Sequence, residues 1–99
     1  MQRTEVLKFA EAMEVELKEN DYKGGWKNCE LSFLVEKLAE ETEELIEVSE
    51  RLKGLECNQF ITKEELKGQR ERILSEAADV GNIAMMIADI CGALQETEK

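Results

Sequence analysis

The sequence predicts an all-α fold, an antiparallel bundle of three to four helices completed by dimerisation. Three observations point there. Proline is absent from all 99 residues. Glu, Lys, Leu and Ala dominate while aromatics make up 5%, the composition of long helices. Apolar residues recur at intervals of three and four along most of the chain. The length implies one domain, 1–99, with few helices to close a core, so a homodimer or homotetramer is expected.

The first helix is read from about Thr4 to Glu19, with Val6, Phe9, Ala10, Met13 and Leu17 at helical spacing. Asn20, Asp21, Gly24 and Gly25 end it. The second runs from about Leu31 to Leu55, closed by Gly54 and the Cys57–Asn58–Gln59 stretch. The third opens at Thr62, where Thr62-x-x-Glu65 is a capping-box pattern. It extends to about Glu96, with Gly68 a possible break. Its small-residue face, Ala78, Gly81, Met85, Ala88 and Gly92, is expected to pack against a second copy; the alternative is cover by the first helix.

Charge narrows the function. The net charge is −10, from 23 acids against 13 bases. Such a surface repels nucleic-acid backbones, which are bound through clustered Lys and Arg. It admits nucleotides where divalent ions bridge acids to phosphates. There is no histidine, and Cys29, Cys57 and Cys91 form no CxxC pair. That excludes the usual zinc sites and fits free thiols in a reducing cytoplasm. The N-terminal residues alternate charged with apolar and match no signal peptide. The most apolar stretch, Ala77 to Leu94, carries Asp79, Asn82 and Asp89, which argues against a membrane span.

Acids interrupt two apolar seams. In the second helix Leu31, Leu34, Leu38, Leu45, Val48, Leu52 and Leu55 follow one arc, and its missing member is Glu41. Glu44 lies roughly 60° to one side of it. In the third helix Ile73, Val80, Ile83, Ile87, Ile90 and Leu94 form the arc, Glu76 falls in its middle and Asp79 at its edge. A carboxylate in an apolar seam is costly unless it is paired or holds a metal. Partner Lys and Arg residues would answer this, as would divalent cations between the helices. Carboxylates without histidine or thiolate suit Mg²⁺ first and Mn²⁺ second. Matched pairs on two helices favour the metal reading over a register device.

At these residues the chain resembles the MazG-like all-α nucleotide pyrophosphatase superfamily. That family carries EExxE followed by ExxD. Here these are Glu40-Glu41-Thr42-Glu43-Glu44 and Glu76-Ala77-Ala78-Asp79. Upstream, Lys23-Gly24-Gly25-Trp26 is similar to the KGGW of a subgroup of small members. The resemblance covers about Phe9 to Asp89, and the ordered set KGGW, EExxEL and EAADVxN is specific where EExxE alone is not.

The resemblance implies hydrolysis of a nucleoside triphosphate to the monophosphate and pyrophosphate, with Glu41, Glu44, Glu76 and Asp79 holding Mg²⁺ and Glu40 an outer acid. It also implies a dimer or larger assembly. Bound Mg²⁺ would reverse the sign of the site and activate the water that attacks the α-phosphorus. A nucleotide- or metal-binding regulatory module without turnover is the alternative.

Further substrate-binding candidates follow from residue type. Trp26, the only Trp, suits stacking on a base or packing over the bundle end. Lys23, Lys27 and Arg72 are candidates for phosphates, while Arg70 reads as surface. Asn82, a polar residue inside an apolar run, needs a partner and suits base, sugar or water.

Overall fold

The computed structural model describes residues 3–19 and 25–95 and, among them, contains three α-helices and no strand. They are α1 (Thr4–Glu19), α2 (Leu31–Glu56) and α3 (Lys63–Ile90). Of the site candidates, Lys23 lies outside the described residues.

The start of α3 is the capping box read from the sequence. Thr62 Oγ1 accepts from the Glu65 N–H at 3.0 Å, and Glu65 Oε1 accepts from the Thr62 N–H at 3.1 Å. Together they satisfy donors that a helix start leaves open. Gly68 does not break the helix, which is continuous through it. The end comes earlier than expected. Gly92 takes φ 81°, a value that disfavours any side chain. Its N–H donates to the Asp89 carbonyl at 3.0 Å, and the Ala93 N–H donates to the Ala88 carbonyl at 2.9 Å. This Schellman closure stops α3 at Ile90 rather than near Glu96. Leu94, expected in the apolar arc, is therefore exposed.

The six residues 57–62 fold α2 back against α3 as a hairpin. An Arg70–Glu56 ion pair at 3.3 Å lies near its closed end. Among the described residues, Leu34 and Val48 of α2 and Ala78 and Ile83 of α3 are the buried apolar ones. α1 packs on α3 and not on α2. Phe9 approaches Gly81, and further along α1 Glu16 accepts from Ser75 Oγ at 2.9 Å. Contacts that advance along α1 thus retreat along α3, so both neighbours of α3 run opposite to it.

This placement bears on the small-residue face of α3. A Cβ on Gly81 would lie 2.9 Å from Phe9 Cε2. The missing side chain is what lets the Phe9 ring reach the α3 backbone. At Gly81 the small-residue face is covered by Phe9 and Met13 of α1, the alternative the sequence offered there.

The molecule is long for its size. Its extents are 57 × 34 × 22 Å and its radius of gyration is 16.2 Å; a compact domain of this length has about 13 Å. Among the described residues no large side chain is fully buried. Leu31, Val35 and Ile46, which share one flank of α2 by helical spacing, are exposed and form an apolar stripe. No described helix is long and apolar enough to cross a membrane.

Two glycines of α3 give opposite predictions. Nothing lies within 4 Å of a Cβ on Gly68. Gly68→Ala should stabilise by about 0.5–1 kcal/mol through reduced chain entropy. Gly81→Leu should destabilise by about 1–3 kcal/mol by pushing Phe9 off the helix, despite better helix propensity. Thermal melts followed by circular dichroism read both.

Candidate metal centre and its flanking cavities

The α2–α3 hairpin sets the two acidic motifs against each other. One carboxylate oxygen each from Glu41, Glu44 and Glu76 lies within 4.8 Å of the others. The Glu41 and Glu44 carboxyls are neighbours that can form a hydrogen bond only when one of them is protonated. That bond is the main reason the Glu41 carboxyl is pushed from the usual 4.5 up to about 7, followed by burial and by the charges of Glu44 and Asp79. Lys37, one turn earlier on α2, offsets part of this. Burial first, then the Glu16, Glu76 and Glu44 charges, lifts Asp79 to about 6. Burial and the Glu44 charge also raise Glu76, against an opposing pull from Arg72.

Two oxygens of this cluster are orphaned. Glu41 Oε2 and Glu76 Oε2 are buried and have no hydrogen-bond partner. Buried acceptors without a donor are uncommon and call for a cause. A cation between the helices would supply one, and a donor set made only of carboxylates suits a hard ion such as Mg²⁺. Glu41, Glu44 and Glu76 are the residues that could hold it; Asp79, expected from the sequence as a fourth ligand, lies outside this three-acid group but close enough to feel its charge.

The cluster has a cavity on one side and a smaller hollow on the other. The cavity, about 560 Å³, is lined by Glu41 and Asp79 together with Trp26, Phe33, Leu34 and Met86. Its volume is in the range of small-molecule sites. Asn82, 4% exposed, also lines it. The Asn82 Nδ2 donates to the Met13 carbonyl at 3.0 Å, which fixes the amide orientation and leaves Oδ1 buried without a donor. The hollow, about 180 Å³, is lined by Glu44, Glu47 and Glu76 with Arg51, Arg72 and Val48.

Most sequence candidates thus converge, in a new arrangement. The helical-wheel reading made Glu41 and Glu76 an inner pair and Glu44 and Asp79 an edge pair. The hairpin divides them crosswise, Glu41 with Asp79 on the cavity and Glu44 with Glu76 on the hollow. Glu40 is exposed and lines neither. Lys27 does not point at the acids; its ammonium sits on Asp89 Oδ2 at 2.6 Å.

Four relevant residues escaped the sequence reading. Glu16 of α1 raises Asp79 and lines the cavity. It follows Phe9 and Met13 at seam spacing, which was a usable signal. On α2, Lys37 stands one turn from Glu41 and Arg51 two turns from Glu44, but such spacings are commonplace on charged helices. Asp89 gave no local signal.

The raised acids make stability depend on pH with a definite sign. Their folded forms hold protons more tightly than the unfolded chain does. The stability this gives is complete below about 4.5 and is lost as pH rises through about 7, the ordinary and folded values for Glu41. Chelator-treated protein should therefore melt lower at pH 8 than at pH 5. Added Mg²⁺ should raise the melting temperature more at pH 8, where protons no longer compete. Glu41→Gln should flatten both trends, as thermal melts across pH and metal concentration would show.

No family model, curated protein or solved structure matches the chain, so the reading of this site rests on its own residues.

Proposed function

We propose that the protein is a Mg²⁺-dependent nucleoside triphosphate pyrophosphohydrolase, releasing a nucleoside monophosphate and pyrophosphate. The observation that supports this reading is a carboxylate cluster with orphaned oxygens between a mainly apolar cavity and a small hollow where Arg51 and Arg72 stand among Glu44, Glu47 and Glu76. A nucleotide has the same order of parts: a planar base, a reacting phosphate and a terminal diphosphate. The likeness of the EExxE, ExxD and KGGW residues to the MazG-like superfamily supports the same assignment.

Each residue then has a task. Glu41, Glu44, Glu76 and Asp79 hold the cation. The cation, when bound, supplies Lewis acidity at the α-phosphoryl oxygens and lowers the pKa of water. Trp26, Phe33, Leu34 and Met86 take the base and exclude solvent from it. Asn82 Oδ1 accepts from a ligand N–H or O–H, since its own amide nitrogen is occupied. Arg51 and Arg72 meet the terminal phosphates. Glu41 and Asp79 are the acids on the cavity side, and one of them, when not engaged by the cation, takes the proton of the attacking water.

The working unit in this reading is a homodimer. The elongated shape and thin core call for cover. With the Gly81 face taken by α1, the stripe of Leu31, Val35 and Ile46 on α2 is the surface for a second copy. The double variant Val35→Glu, Ile46→Glu should run as a monomer in sedimentation, where the parent runs as a dimer.

Pyrophosphate release from a panel of ordinary and modified nucleoside triphosphates with Mg²⁺ tests the activity. Glu41→Gln and Asp79→Asn should each lower kcat/KM by about 100-fold or more, the scale of removing one electrostatic group at a reacting centre. Release that survives both changes defeats the metal-centre assignment. Mg²⁺-dependent nucleotide binding without turnover would mark a regulatory module instead.

A further inference from the structure

Asp89 lies outside the metal centre and does not line the cavity, yet it holds the residue that walls it. Asp89 stands on α3 one turn past Met86, itself a cavity residue. One oxygen, Oδ2, accepts from the Trp26 indole Nε1–H at 2.9 Å and from Lys27 Nζ at 2.6 Å. The two donors are adjacent in sequence and reach Asp89 across 63 and 62 residues. The Lys27 ammonium also lies 5.4 Å from the Trp26 ring centroid, in cation–π range.

The local backbone serves this placement. Gly25, immediately before Trp26, has φ 77°, a conformation that L side chains rarely adopt. The Trp26 carbonyl then accepts from the Cys29 N–H at 3.0 Å, closing a turn. The turn presents the indole with one edge tied to Asp89 while the ring lines the cavity. Asp89 is partly buried while the Lys27 side chain is 74% exposed, so the ion pair alone contributes little. The bond to the indole is part-buried and directional, and it orients a ring.

We propose that Asp89 is a positioning residue that sets Trp26 as the cavity wall and thereby tunes affinity for the planar, apolar part of the ligand without touching it. The ligand half of this inference rests on the nucleotide reading of the cavity. The tether itself does not.

Trp26 is the only tryptophan, so its fluorescence reports the tether directly. Asp89→Ala should shift its emission to longer wavelength and increase quenching by acrylamide, with helical content unchanged. Asp89→Asn keeps an acceptor for the indole but loses the attraction for Lys27, and should give a smaller shift in the same direction. It carries the same measurement should Asp89→Ala fail to fold. Calorimetric titration with Mg²⁺ then separates the ligand parts. Asp89→Ala should weaken nucleoside monophosphate binding by about three- to tenfold, the scale of one ordinary hydrogen bond. Pyrophosphate, which has no base, should bind as before.

Unchanged emission and quenching in both variants would overturn the tether. Equal weakening of monophosphate and pyrophosphate would overturn the tuning role. A parent protein that binds neither ligand overturns the nucleotide reading, and the fluorescence then decides the tether alone.

Discussion

Carboxylates converging in the seam between α2 and α3 are the constraint around which the remaining structure is organised. Glu41, Glu44 and Glu76 come within 4.8 Å of one another where a helical hairpin would ordinarily place leucines. Repulsion and lost hydration there have no full internal answer. Lys37 and Arg72 each offset one acid partially, and both side chains are exposed. The cluster can be relieved by a proton shared between Glu41 and Glu44, or by a cation. The long α2–α3 overlap, the closures at both ends of α3 and the packing of Leu34, Val48, Ala78 and Ile83 hold the hairpin together despite that repulsion.

The cluster also sorts the surface around it. One flank is mainly apolar and aromatic and takes Glu41 and Asp79, with Glu16 from α1; the other sets Arg51 and Arg72 among Glu44, Glu47 and Glu76. No single helix carries the site; it exists only in the hairpin register. A slip of one turn would separate Glu76 from both α2 acids while leaving the apolar arcs paired. The register is therefore fixed chemically by the acids as much as by the hydrocarbon around them, once a counter-ion or proton is present.

Much of this was legible in the sequence, for local reasons. Helix starts and the capping box are short-range chemistry, and Thr62 with Glu65 carries its own evidence. Seam acids stand out because periodicity makes a charged residue conspicuous at an apolar position, as at Glu41 and Glu76. The end of α3 was misread because Gly92 fits both a small-residue face and a positive-φ closure, and only the backbone decides. The partner of Gly81 was equally open, since a smooth face accepts Phe9 of the same chain or a helix of another. Asp89 was invisible as a site residue because its partners are some sixty residues away, at Trp26 and Lys27. The crosswise pairing of the acids likewise depends on two helices meeting, which no single wheel contains.

α1 has a status of its own. It buries no residue and packs on α3 alone, through Phe9 and Met13 above Gly81 and through Glu16 beside Ser75. Such an element is the natural first cooperative unit to open, well below the free energy of global unfolding. Its departure would uncover Gly81, free the Asn82 amide from the Met13 carbonyl and carry the Glu16 charge away from Asp79. The α2–α3 hairpin and its carboxylates would stay behind. The chain thus divides into a durable half that owns the four motif acids and a detachable half that owns the amide's orientation; under the proposed function, a brief excursion of α1 would alter ligand choice while leaving ion capture intact.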